Sequence, residues 1–232
     1  MESGTADLKH AAAAIALTYV TDGMKLGLGT GSTAEAFVYL LGSRVRDGLD
    51  IIGAATSEHT AKIARRVGIP LAPLDELAPL DLTVDGADET DRNLNLLKGG
   101  GGALLREKLV AASSERMIVI ADESKLVERL GRFPLPVEVV EFGHVGTARR
   151  IAQVAFGLGY GHIPVSLRLR DGVPFHTDCG NVIYDCCFQS IADVKVLAAA
   201  LSAITGVVEH GLFLGLATTC LISHPYGVEC LQ

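Results

Sequence analysis

The sequence predicts an α/β protein built in two units, a mostly parallel sheet and a smaller α+β arrangement. Three observations carry this. Apolar runs of strand length ("MKLGLG", "IIGAATS", "LDLTVDGA", "RMIVIAD") alternate with helix-length stretches through residues 1–130. Their cores are continuously apolar, as expected of parallel strands covered on both faces. From "RFPLPVEVV" onward the order becomes strand, helix, strand, strand, helix, strand, which fits a split βαββαβ unit.

Taken in order, a helix over about 6–20 leads to the strand "MKLGLG". A glycine turn then opens the helix "STAEAFVYLLGSRV". The strand "IIGAATS" precedes the helix "EHTAKIARRVG", closed by Gly68 and stopped by Pro70. "LDLTVDGA" is a strand, "GGALLREKLVAASSE" runs into a helix, and "RMIVIAD" is a fully apolar strand. In the second unit, helices over about 144–158 and 190–203 are interleaved with strands "SLRLR", "NVIYDCCF" and "VVEHGLF". The tail "TTCLIS…YGVECL" supplies two short strands that return to the first sheet. The expected division is a Rossmann-like domain of residues 1–130 plus 211–232, and a ferredoxin-like α+β domain of residues 131–210.

Composition narrows the function. The chain has 232 residues, 49% of them hydrophobic, enough for a sizeable core, and 20% charged, which argues against a membrane protein. The run "AAAAIALTYV" (11–20) is too short to span a bilayer and follows Asp7, Lys9 and His10, so neither a span nor a leader is expected. A net charge of −7 without a basic run weighs against nucleic acid. The five cysteines (Cys179, Cys186, Cys187, Cys220, Cys230) form no CxxC pair, and reduced thiols in a cytoplasmic protein are expected. Cys186 and Cys187 lie in a strand-like run and read as packing residues.

Candidate chemistry begins at "GLGTGST" (27–33), a strand-to-helix turn where backbone amides and the helix dipole favour an anion, with Ser32 and Thr33 adding hydroxyls. Ser32 stands where a dinucleotide site needs its third glycine, and no nucleotide P-loop lysine follows. A phosphate cradle is one reading; a tight turn N-capped by Ser32 is the other. "DLTVDGADETD" (81–91) matches neither a calcium loop nor a transition-metal site, so no metal and no cofactor are expected. Asp81, Asp91 and Glu89 read as acids of a solvated turn. Asp85 and Asp88 bracket Gly86 and Ala87 at the carboxyl end of a parallel strand, where open α/β sheets bind ligands, so both carboxylates are expected to face the site.

"KGGGGALLREK" (98–108) follows. Gly99, Gly100 and Gly101 permit close backbone approach to a ligand, and amides at the next helix start can stabilise an oxyanion. Glu107 has only Leu104, Ala103, Val110 and Ala111 at helical spacing and no cation among them. Burial there would raise its pKa and suit a general base, whereas the competing reading is an exposed glutamate. Lys98 precedes the glycines. Lys9 is expected in a first helical turn, where a bound phosphate would relieve its clash with the dipole; snorkelling at the surface is the alternative. Lys125 falls after "MIVIAD", at another carboxyl strand end. This set could move a proton beside a carbonyl on a small phosphorylated molecule without a metal.

With those motifs in place, the chain resembles type A ribose-5-phosphate isomerases. "GLGTGST", "VDGADE", "KGGGGALLREK", "IADESK" and "FPLPVEV" occur in that family's order and spacing, from about Leu8 through "GVECL". The resemblance implies interconversion of ribose 5-phosphate and ribulose 5-phosphate in the non-oxidative pentose phosphate pathway, through a cis-enediolate and without a metal. It implies Glu107 as proton acceptor, Asp85 as the acid–base group for ring opening, and Asp88 and Lys98 as groups that bind hydroxyls and stabilise the enediolate. Thr30, Gly31, Ser32 and Thr33 match the substrate loop, Lys125 a substrate lysine and Lys9 a phosphate contact. A homodimer or homotetramer is implied. The chain departs from the family pattern at "TDCGN" (Cys179 for asparagine), at Thr205 (for proline) and at "ISHPYGV". Two rivals stand beside this reading: a sugar-phosphate deaminase, which should carry a catalytic histidine near an acid, and a non-catalytic sugar-phosphate sensor, which should carry a DNA-binding unit.

Overall fold

A computed structural model describes residues 2–232. Helix α1 (Glu2–Leu17) precedes β1 (Met24–Leu28), α2 (Ser32–Arg46), β2 (Ile51–Ala55), α3 (Glu58–Arg66), the single turn α4 (Leu74–Leu77) and β3 (Leu82–Asp85). Two-residue strands β4 (Glu89–Thr90) and β5 (Leu96–Leu97) come before α5 (Leu104–Ala112) and β6 (Met117–Asp122). The second half holds β7 (Leu135–Val139), α6 (His144–Ala155), β8 (Val165–Leu167), β9 (Leu169–Arg170), β10 (Val173–Pro174), β11 (Val182–Cys186) and α7 (Val194–Ser202). It ends with β12 (Val207–His210), β13 (Leu212–Phe213), β14 (Thr219–His224) and β15 (Gly227–Leu231).

The larger sheet runs β15-β14-β6-β3-β1-β2, parallel throughout except for β15. The tail strands return to it as expected, β14 lying parallel to β6. Registers such as Leu28↔Val84 and Asp85↔Val119 bring the carboxyl ends of β1, β3 and β6 to one edge. Helices α1 and α2 cover one face through Ala12, Ala16, Phe37 and Leu41, all fully buried. Each large side chain so buried contributes about 1.5–3 kcal/mol. Helix α3 starts where Ser57 accepts a hydrogen bond from the Thr60 N–H and is closed just past its C-cap, Val67, by Gly68, whose φ of 87° suits glycine.

The smaller sheet runs β12-β7-β11-β8, all antiparallel, which is the strand order of a ferredoxin-like unit. Helices α6 and α7 pack on it around Leu135, Val137, Ile151, Leu197 and Leu201. The expected strand "VVEHGLF" is in fact two. It divides at Gly211, whose N–H donates to the Pro136 carbonyl while its own carbonyl accepts from the Lys98 N–H, so the chain changes partner there, and a Cβ would lie 2.2 Å from the Lys98 carbonyl oxygen. Beyond the break, β13 joins β5 and β4 in a three-stranded sheet. "SLRLR" is likewise split at Arg168, after which β9 and β10 form a hairpin. Helix α7 starts at Val194, capped by Asp193, rather than near 190.

Candidate active site

The turn after β1 forms one wall of a cleft at the carboxyl edge of the larger sheet. Its tight path depends on Gly29, where a Cβ would lie 2.2 Å from Asp85 Oδ1. Gly31, with φ 109°, occupies the N-cap position of α2 and offers no side-chain cap, so Ser32 is the first helical residue and not the cap. The N-terminal amides of a 15-residue helix therefore remain available to an anion. The Thr30 hydroxyl is tied back to Thr56, Ser57 and Thr60 at 2.7, 2.9 and 3.0 Å. From α1, Lys9 Nζ reaches Ser32 Oγ at 2.8 Å. Lys9 lies mid-helix rather than in the first turn, since α1 begins at Glu2, so the expected clash with the dipole does not arise.

The floor holds a buried charge cluster. Lys98 Nζ donates to the Gly86 carbonyl at 2.6 Å and lies 3.1 Å from Asp85 Oδ2 and 3.4 Å from Glu107 Oε2. All three side chains are at most 4% exposed. Asp85 Oδ1 accepts from the N–H groups of Thr30 (3.1 Å) and Gly86 (2.7 Å), joining the cluster to the turn after β1. Asp88 Oδ2 accepts from the Gly100 N–H at 2.7 Å. Glu107 projects from the first turn of α5, which opens at Ala103 directly after the glycines.

Burial sets the electrostatics. It pushes the Glu107 carboxyl up to about 8 from an ordinary 4.5, against the pull of Lys98 and with Asp85 and Asp88 adding to the rise. Burial also raises Asp85, with Lys98 opposing it. For Lys98 burial works against the charge, but Asp85, Glu107 and Asp88 outweigh it and hold the ammonium above the ordinary lysine value. The result is a protonatable carboxyl beside a permanent cation, the pairing that proton abstraction next to a carbonyl needs.

The cleft has a volume of about 260 Å³. Lys9, Thr30, Gly31, Ser32, Thr33, Gly86, Ala87, Asp88, Lys98, Gly99, Gly100, Gly101, Glu107 and Lys125 all line it, so residues far apart in sequence converge on one cleft. Asp85, expected to face the site, does not line it: its carboxylate turns inward beneath Lys98 and is fully buried. Asp122 and Ser124 also line the cleft, and the sequence reading missed them. The strand-end argument that reaches Lys125 applies equally to Asp122, the last residue of β6.

Three expectations for the acids need correction. Glu89 is buried and accepts from the N–H groups of Gly131 (2.7 Å) and Phe133 (2.6 Å), fastening the entry to the smaller sheet. Asp91 is buried too, accepting from the N–H groups of Asn93 and Asn95 and from the Asn95 side chain, so it builds the turn instead of facing water. Asp81 is half-buried and accepts from the Lys25 N–H at 2.6 Å. Spacing alone cannot show such backbone partners. Among the described residues no group of three or more His, Cys, Asp or Glu side chains is arranged to hold a metal, and no helix is long and apolar enough to cross a membrane.

Residues 52–227 match the family model of ribose 5-phosphate isomerase A (phosphoriboisomerase A). The chain is 58% identical over 225 residues to ribose-5-phosphate isomerase A of Brucella suis biovar 1 (strain 1330), covering 97% of each. It is 57% identical to that of Parvibaculum lavamentivorans, covering 97% of this chain and 98% of the relative. Among solved structures, ribose 5-phosphate isomerase from Plasmodium falciparum superposes with a TM-score of 0.92 at 38% identity, covering 98% of each chain. A D-ribose-5-phosphate isomerase in complex with phospho-erythronic acid superposes with a TM-score of 0.90 at 37% identity, covering 97% of this chain and 98% of that one. The chain belongs to the ribose 5-phosphate isomerase A family.

Proposed function

We propose that Glu107 carries the proton in the reaction this chain performs, the interconversion of ribose 5-phosphate and ribulose 5-phosphate in the pentose phosphate pathway. The observation that carries the assignment is the buried Glu107–Lys98 contact of 3.4 Å on the floor of a cleft whose far wall is an uncapped helix N-terminus. The phosphate binds at that N-terminus, on Ser32, Thr33 and Lys9, with Lys125 completing the cleft. Glu107 takes the proton from C2; the C2–H electron pair becomes the C1–C2 double bond, and the carbonyl pair moves onto O1. Lys98 and the glycine-loop amides stabilise that charge, and Asp88 holds a hydroxyl. After a proton passes from O2 to O1, Glu107 returns its proton to C1 and the ketone forms at C2. Ring opening belongs to the Asp85–Lys98 pair, with Lys98 the member that reaches the cleft.

The cleft lining contains no histidine among the described residues, which favours the isomerase over a deaminase. The test is conversion of ribose 5-phosphate by the purified chain in EDTA. Ribulose 5-phosphate should appear at an undiminished rate, and binding without conversion would instead favour a sensor.

The two-domain division is supported by separate apolar clusters, one around Leu26, Phe37 and Val84 and one around Leu135, Ile151 and Leu197. A homodimer or homotetramer remains our reading of the assembly, supported by exposed Val140, Phe142 and Val145 along one short stretch. Sedimentation velocity tests it, and a monomer at micromolar concentration would overturn it.

A further inference from the structure

The glycine loop of the cleft is gripped from behind by a side chain of the smaller sheet. Arg168, at the break between β8 and β9, donates from Nη1 to the carbonyl oxygens of Gly99 (2.8 Å) and Gly100 (3.2 Å). Its other edge is fixed by Asp185 of β11, with Nε on Oδ2 at 2.9 Å and Nη2 on Oδ1. A fork-to-fork pair of this kind sets the plane of the guanidinium, so β11 dictates where Nη1 points.

In a trans peptide unit the C=O and N–H point opposite ways. Holding the Gly99 oxygen therefore aims the Gly100 N–H away from Arg168, and that N–H donates to Asp88 Oδ2 at 2.7 Å. Holding the Gly100 oxygen aims the Gly101 N–H in the same manner. Gly101 lines the cleft, and among the described residues its N–H meets no acceptor. The fit behind Asp88 is tight, since a Cβ on Gly100 would lie 2.6 Å from Asp88 Oδ1.

We propose that Arg168, held by Asp185, is a positioning residue that aims two amides of the glycine loop, the Gly100 N–H onto Asp88 and the Gly101 N–H toward the substrate oxygen that gathers charge. The inference rests on the enediolate reading above. Arg168 touches no substrate atom; it acts through the peptide planes it orients. A lysine at 168 could reach one carbonyl but could not also form the two-pronged contact with Asp185.

The test compares the parent, Arg168→Ala, Arg168→Lys and Asp185→Asn as full-length proteins. It measures kcat and KM for ribose 5-phosphate, binding of phospho-erythronic acid by calorimetry, and thermal unfolding. Misaimed groups near reacting atoms can cost about 100-fold in rate. Arg168→Ala should lose at least tenfold in kcat with KM within threefold of the parent. It should bind phospho-erythronic acid, whose carboxylate stands in for the charged enediolate, correspondingly less well, and Arg168→Lys should recover part of the loss. A smaller loss of kcat, or a loss that only follows the folded fraction in the melting curve, would overturn the proposal. If Arg168→Ala does not fold, Asp185→Asn carries the test, with a fall of threefold or more in kcat at constant KM expected and a smaller one overturning it. An inactive parent would sink the isomerase reading and this inference with it, whereas an active parent with an unaffected Arg168→Ala would sink this inference alone.

Discussion

Lys98 Nζ stands 3.4 Å from Glu107 Oε2, with both side chains almost wholly out of solvent. The same ammonium is 3.1 Å from Asp85 Oδ2. One cation therefore serves two buried carboxyl groups, and low-dielectric surroundings make it costly for both to be ionised together. Glu107 is the member that reaches the cleft, so the cost appears as a carboxyl ready to accept a proton from a ligand. Several consequences of this arrangement are measurable.

The first concerns pH and rate. A general base acts as its deprotonated form, so kcat/KM for ribose 5-phosphate should rise with pH through about 8, the value to which burial pushes Glu107. A flat profile between pH 6 and 9 would contradict that ionisation.

The second concerns pH and stability. Glu107 unfolds to an ordinary carboxyl near 4.5 but titrates near 8 when folded. Between those values the folded state keeps a proton the unfolded state has released, so this group's contribution is present at low pH and lost as pH rises. The melting temperature of Glu107→Gln relative to the parent should therefore increase from about pH 5 to pH 8. A pH-independent difference would place the carboxyl in water.

Removing the shared cation should be more damaging than removing either acid. Lys98→Ala leaves Asp85 and Glu107 buried without a positive partner, and removing one member of a buried ion pair costs about 3–5 kcal/mol. Protonation relieves the cost, so the loss measured by urea unfolding should be smaller at pH 5. Turnover should fall at both pH values.

The phosphate end should respond in KM. A hydrogen bond to a charged group contributes about 1.5–3 kcal/mol, so Lys9→Ala should raise KM by about tenfold or more while leaving kcat within a few-fold. A fall in kcat at unchanged KM would move Lys9 away from the phosphate.

Gly29 tests the link between loop and floor. A Cβ added there would meet Asp85 at Oδ1 (2.2 Å) and at Cα (2.6 Å), and backbone cannot step aside cheaply. Gly29→Ala should lose about 1–3 kcal/mol of stability by calorimetry, together with activity. Parent-like values for both would show that the turn can relax.

Much of this was legible because the site is built from strand ends. "MKLGLG", "LDLTVDGA" and "RMIVIAD" read as parallel strands, and their carboxyl ends place Thr30, Asp88 and Lys125 around one cleft. Glu107 was legible from its small apolar helical neighbours. What sequence periodicity could not supply was long-range pairing. The partner of Glu107 is Lys98, which comes from the loop before the helix and not from a helical neighbour. Glu89 and Asp91 look solvated by spacing but satisfy backbone N–H groups inside the fold. The two-residue strands β4, β5 and β13 carry too few residues to show a period, and an apparently continuous strand divides at Gly211 because the chain there changes its pairing from β7 to β5, a long-range switch.

Turnover of ribose 5-phosphate by Glu107→Gln tests most directly whether Glu107 moves the proton between C2 and C1. The substitution keeps the shape of the side chain and removes its basicity. General base catalysis contributes about 10²–10⁴-fold, so kcat should fall by that order while phospho-erythronic acid still binds. A variant that binds the acid and turns over within tenfold of the parent would contradict the assignment of Glu107 as the base.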